Sequence, residues 1–98
     1  MKTDANVELF MELDASPIQR NGIILIPVSK VEQTIIKLLE KDLVILGFDA
    51  FKLYDDNRIQ PFLEYSPDYS KGTINFGVIK NDLKKISPEI THIEIVIK

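Results

Sequence analysis

The stretch Asp42–Tyr69 constrains the fold most: two apolar runs flank a polar turn, and carboxylates are interleaved with aromatic side chains. Leu43–Tyr54 is built from residues that favour a pleated, half-buried surface and reads as a long strand. Gly47 inside it predicts a bulge or a close approach of another backbone, because a strand-interior glycine otherwise only weakens a sheet. Asp55-Asp56-Asn57-Arg58 is turn chemistry, and Asp56-Asn57 can take the left-handed conformations of a tight hairpin. Ile59–Tyr65 returns as a second strand. Pro61 cannot donate to a ladder, which places that strand at an edge.

The flanking segments supply the rest of a fold. Ser29 and Glu32 have the spacing of a capping box. Val31, Ile35, Leu38 and Leu39 follow as an apolar stripe that closes at Asp42, and Lys37 and Lys41 complement the negative end of the helix dipole. A helix from about residue 30 to 41, packed on a sheet, is expected. Before it, Ile23–Ile26 follows an Asn21-Gly22 turn and reads as a strand covered on both faces, ended by Pro27. Asp4–Asp14 is ambiguous: Val7, Leu9, Met11 and Leu13 alternate as in a strand, yet Phe10 breaks the phase. Asp4 as N-cap, with Glu8 and Glu12 on one exposed face, favours a helix that Ser16-Pro17 terminates. Beyond the hairpin, Ser66–Thr73 reads as loop and Asn81–Ile86 as one or two helical turns capped by Asn81 and stopped by Ser87-Pro88. Thr91–Lys98 reads as a closing strand, with Ile93, Ile95 and Ile97 on one face and His92, Glu94, Val96 and Lys98 on the other. The expected fold is a single α+β domain of residues 1–98, a small single-layer mixed or antiparallel sheet packed by one or two helices.

Composition fixes the class. With 45% apolar and 28% charged residues the chain reads as globular. Its longest apolar run, Leu43–Leu46, falls far short of the roughly 20 residues that span a bilayer. Acids interrupt the N-terminal apolar residues, so no secretory signal is expected, and a cytoplasmic location is. There is no cysteine, which removes disulfides, thiolate nucleophiles and Cys-based metal sites. The net charge of −3 is unevenly placed: residues 1–41 carry −1, residues 42–69 carry −4 and residues 70–98 carry +2. An acidic middle argues against nucleic acid or anionic lipid as its partner and favours a basic protein.

Catalytic patterns are weak. His92 is the only histidine, and the sequence offers it neither a nucleophile nor an orienting partner. From Asp55, an EF-hand would need glycine at the sixth position and glutamate at the twelfth, where this chain has Gln60 and Ser66. Pro67-Asp68 and Asp82-Leu83-Lys84 match the loose nuclease pattern P-D…D-x-K, but on a helix Asp82 and Lys84 would diverge. No cofactor is expected. Tyr54, Tyr65 and Tyr69 offer large contact areas at low entropic cost, and neighbouring carboxylates would steer a basic partner. An alternative is an adaptor whose Pro61 edge strand accepts an added peptide strand.

Val44–Tyr54 (VILGFDAFKLY), followed by Arg58-Ile59-Gln60-Pro61, resembles a family of small immunity proteins from bacterial polymorphic toxin and contact-dependent growth inhibition systems. In that family a capped helix leads into a strand of the form ILGGD-V/A-Y/F, a polar turn and a second strand. Here the resemblance covers about residues 22–69. Phe48 stands where a second glycine is usual, and Tyr65-Ser66-Pro67-Asp68-Tyr69 occupies the place of a tryptophan common in the family. The resemblance implies a non-enzymatic inhibitor that binds a cognate toxin domain, often a basic nuclease, and involves neither nucleic acid nor membrane. The chain itself is expected to be a monomer or a weak homodimer. The expected toxin-binding surface is formed or bordered by Asp49, Tyr54, Asp55, Asp56, Glu64, Tyr65, Asp68 and Tyr69.

Overall fold

A computed structural model describes residues 5–20, 22–56, 58–62, 64, 66–69 and 76–97. Within them the chain runs α1 (Ala5–Glu12), β1 (Ile18–Arg20), β2 (Ile23–Pro27), α2 (Val28–Glu40), β3 (Ile45–Leu53), β4 (Ile59–Phe62), α3 (Phe76–Leu83) and β5 (His92–Ile97). The strands form one antiparallel sheet in the order β1-β2-β5-β3-β4, curled into a half-barrel. This is the expected α+β architecture, with three helices and a short β1 that the sequence reading did not include. The terminal strand β5 lies at the centre of the sheet, between the β1–β2 and β3–β4 hairpins.

One face of the sheet and all three helices share a single core. Ile24, Ile26, Ile45, Phe48, Ala50, Ile93 and Ile95 come from the strands, and Phe10, Val31, Ile35, Leu38 and Ile79 from the helices. Phe10, which fits no strand alternation in the N-terminal segment, is the buried anchor of α1, at 2% exposure. Thr34 lies on the buried stripe of α2, and its hydroxyl donates to the Lys30 carbonyl at 2.7 Å, so the one polar group there is satisfied.

Helix α2 begins earlier than its sequence suggests. Pro27 occupies the N-cap position, and no side chain caps the helix. Pro27 has no N–H to satisfy, and the Val28 N–H donates to the Thr91 carbonyl at 3.0 Å, a long-range bond that the expected Ser29–Glu32 box could not foresee. Glu32 instead pairs with Lys80 of α3 at 3.4 Å, tying helix to helix.

The C-termini of α1 and α2 share one device. Asp14 and Asp42 adopt left-handed backbone conformations, φ 58° and 59°. After α1, the Asp14 and Ala15 amides donate to the Met11 and Phe10 carbonyls; after α2, those of Asp42 and Leu43 donate to Leu39 and Leu38. These are paired 5→2 and 6→1 bonds with an aspartate in the place glycine usually takes. The Lys37 ammonium donates to the Leu13 carbonyl at 2.9 Å, so α2 also closes the end of α1. Asp42→Gly should raise stability by about 0.5–1 kcal/mol by removing the left-handed penalty on an exposed residue; urea denaturation measures it.

Helix α3 corrects another expectation. It starts at Phe76, so Asn81 lies in its interior, not at its cap, and Leu83 ends it ahead of Ser87-Pro88. Phe76-Gly77-Val78-Ile79 has low helix propensity, and burial of Ile79 in the core overrides that preference. The expected cap Asp4 and the turn residues Asn21 and Asn57 lie outside the described residues.

Candidate functional site

The site is built around the irregularity at Gly47. Strands β3 and β5 pair as Ile45–Ile97 and then Gly47–Val96, which leaves Leu46 bulged. The bulge removes the Leu46 carbonyl from the ladder, and the Tyr69 N–H takes it at 2.7 Å. The segment after the hairpin thus lies against β3, where Asp68 bridges Gly47. A methyl group at Gly47 would overlap the Pro67 carbonyl, so glycine is required by contact with backbone. Both readings of this glycine, bulge and close approach, hold.

This docking builds a shallow depression from Gly47, Asp49, Ser66, Pro67, Asp68 and Val96 on the sheet face opposite the helices. Register places Asp49 directly opposite Glu94, and His92 opposite Phe51, on that same face. Leu25 and Phe51, which alternate onto this side, are buried outside the main core. Burial, then the nearby Asp49 charge, then a hydrogen bond to Asp49 push the Glu94 carboxyl above its ordinary value. Burial, followed by the Arg20 charge, lowers the His92 imidazole below 6.5, keeping it neutral near pH 7. The Thr91 hydroxyl lies 2.7 Å from His92 Nδ1 and accepts the Leu53 N–H at 2.8 Å. That hydroxyl clasps the start of β5 to β3.

The expected surface residues divide among different places. Asp49 and Asp68 meet beside Gly47. Tyr54, Asp55 and Asp56 lie at the hairpin end. There the Lys52 ammonium and the Arg58 guanidinium each sit 4.9 Å from the centre of the Tyr54 ring, and its hydroxyl donates to Gln60 Oε1 at 2.6 Å. Arg58 Nε donates to Asp56 at 2.7 Å. Arg58 is thus paired with Asp56, and the formal charges of Lys52, Asp55, Asp56 and Arg58 sum to zero. Glu64 is exposed in the following loop. Tyr65 lies outside the described residues. Tyr69 is directed inward: its ring packs 6.4 Å from that of Phe48, and its hydroxyl donates to Asp82 at 2.6 Å. Burial first, then Asp82, push this phenol above its ordinary value.

Asp82 is therefore engaged as an acceptor on α3. Among the described residues no group of three or more His, Asp or Glu side chains is arranged to hold a metal ion. The outer edge of β4, on which the adaptor reading rests, lacks one donor. Tyr54 N bonds Arg58 O, which sets the alternation so that Ile59 and Pro61 present their backbone to the outer edge of β4. Pro61 has no N–H to offer there, so a peptide strand added at this edge would find one donor missing.

Glu94 is the component that the sequence hides. It lies in the basic C-terminal segment, and only the pairing of β3 with β5 brings it to Asp49. Compared with known proteins, the chain matches no family model, no curated protein and no solved structure. No helix of the described residues is long and apolar enough to cross a membrane.

Proposed function

We propose that this chain is a non-enzymatic immunity protein that binds a basic toxin domain in the cytoplasm, using the sheet face around Gly47. The observation that carries this reading is the gathering of Asp49, Glu94 and Asp68 on one open, partly apolar face, while Asp56 of the turn is paired with Arg58. A carboxyl pair on such a face attracts a cationic side chain, and the apolar surround gives that contact a low dielectric. The same acids would occupy the positions that phosphates take in the basic cleft of a nuclease. The resemblance of Val44–Tyr54 to immunity strands gives independent support.

The test is affinity capture of the tagged chain from its native cells at low and high salt. The captured domain is then expressed with and without this chain. A domain that arrests growth alone and is neutralised by co-expression is the expected result. Asp49→Lys/Asp68→Lys should weaken capture at least tenfold, and Asp55→Lys/Asp56→Lys far less. Loss confined to the turn variant would return the interface to the hairpin tip, and a captured domain that is harmless alone would end the immunity reading.

A further inference from the structure

The two neighbours of β5 do not hold it equally along its length. On one side, β2 registers with it only at Ile26–Ile93 and Pro27–His92. Beyond Ile93 the strands part, and a depression lined by Gly22, Ile24 and Glu94–Ile97, with Phe10 of α1, takes the place of further rungs. On the other side, the same residues pair with β3 through Asp49, Phe48 and Gly47 and then meet the bulge before Ile45. The half-strand Glu94–Ile97 is thus held by a single, irregular ladder. Its first rung opposes two carboxyl groups, an arrangement that destabilises a strand pair when both are charged.

We propose that Glu94–Ile97 is a pH-responsive segment of the sheet, fastened while the Glu94 carboxyl opposite Asp49 keeps its proton and loosened when Glu94 ionises. The inference concerns the isolated chain and is independent of any partner. The sign follows from the direction of the Glu94 shift, upward through burial and then Asp49. A raised folded-state value means that the folded chain takes up its proton before the unfolded chain does. Its stabilising contribution is complete below the ordinary value of 4.5 and is lost as pH rises through the raised one.

The other charged groups on this face can be separated from the effect. His92 lies two residues along the same strand face and Arg20 acts on it from β1, while Asp68 lies beside Gly47. Strand β2 (IILIP) and the outer strand β4 (IQPF) add no ionisable side chain. His92 has the opposite sign: its lowered value gives stability that is lost on acidification below 6.5. A bare pH profile would mix the two, and substitution at the carboxyl pair isolates one.

The experiment is residue-resolved amide hydrogen exchange at pH 5 and pH 7.5, corrected for intrinsic rates, on wild type, Glu94→Gln and Asp49→Asn. In wild type, protection of Glu94–Ile97 relative to Ile93 and Ala50 should fall between pH 5 and pH 7.5, by up to about tenfold for each pH unit between the ordinary and the raised value of Glu94. Glu94→Gln should keep the segment protected at both pH values, and Asp49→Asn should reduce the fall without abolishing it, because burial of Glu94 remains. Wild-type protection that does not change with pH, or a change that persists undiminished in Glu94→Gln, would overturn the proposal. Gln and Asn preserve shape, and circular dichroism verifies that each variant is folded. If either is not, the carboxyl titration of Glu94 in the wild-type chain decides: a value at or below the ordinary one overturns the proposal, and a raised one supports it.

Discussion

Phe10→Ala is expected to cost about 3–5 kcal/mol, among the largest single-residue losses available to this chain. The ring is almost fully buried and joins α1 to the core that all three helices share. Helix α1 spans only Ala5–Glu12, too short to persist without tertiary contacts. Removing the ring both deletes apolar burial and leaves a cavity beside Ile24 and Ile95, which share its cluster. The substitution also loosens the Lys37 bond to the Leu13 carbonyl, because that acceptor is presented by the end of α1. Chemical denaturation should show a lower midpoint with an unchanged slope. A cost below about 1 kcal/mol would mean that α1 contributes little to the core.

Gly47→Ala comes next, at about 1–3 kcal/mol. The added methyl meets the backbone carbonyl of Pro67, which cannot swing aside as a long side chain would. Relief requires moving the whole 66–69 segment, and three fastenings move with it: the Asp68 bridge to Gly47, the Tyr69 N–H bond to Leu46, and the Tyr69 hydroxyl bond to Asp82. The expected result is therefore a loss of stability accompanied by a functional defect, since Asp68 leaves the neighbourhood of Asp49. Tyr69→Phe serves as the control. It removes only the hydroxyl bond, keeps the Phe48 contact, and should leave the depression in place. Equal partner binding by Gly47→Ala and wild type would show that the docked segment is not part of the binding surface.

The legible parts of the fold were those fixed by local chemistry. The Leu38–Leu39 stripe gave α2, Gly47 gave the bulge, Pro61 gave the edge strand, and Phe10 broke the strand phase in the segment that forms α1. The hidden parts depend on partners distant in sequence. Ile18-Gln19-Arg20 holds a single apolar residue and becomes a strand only because β2 folds back on it. The Ser29–Glu32 pattern lost to a bond between Val28 and Thr91. At the site, Asp49, Asp68 and Gly47 stood out in the sequence and meet in space. The turn acids also stood out, but the pairing of Asp56 with Arg58 depends on how the hairpin closes. Glu94 could not be found, because nothing local specifies which residue a strand will face across a ladder.

The central position of β5 has a consequence for how the chain reaches its fold. As the polypeptide leaves the ribosome, β1–β2 and β3–β4 can each close as local hairpins, but they have no ladder between them until His92–Ile97 emerges and inserts. Both hairpins meanwhile expose one unpaired edge to the solvent and to each other. The last strand acts as a keystone, and its pairing with Ile26 spans most of the chain, so the entropy of closing that loop falls on one late step. Folding of this small domain is therefore expected to be slow for its size and to begin in earnest only when synthesis has passed β5.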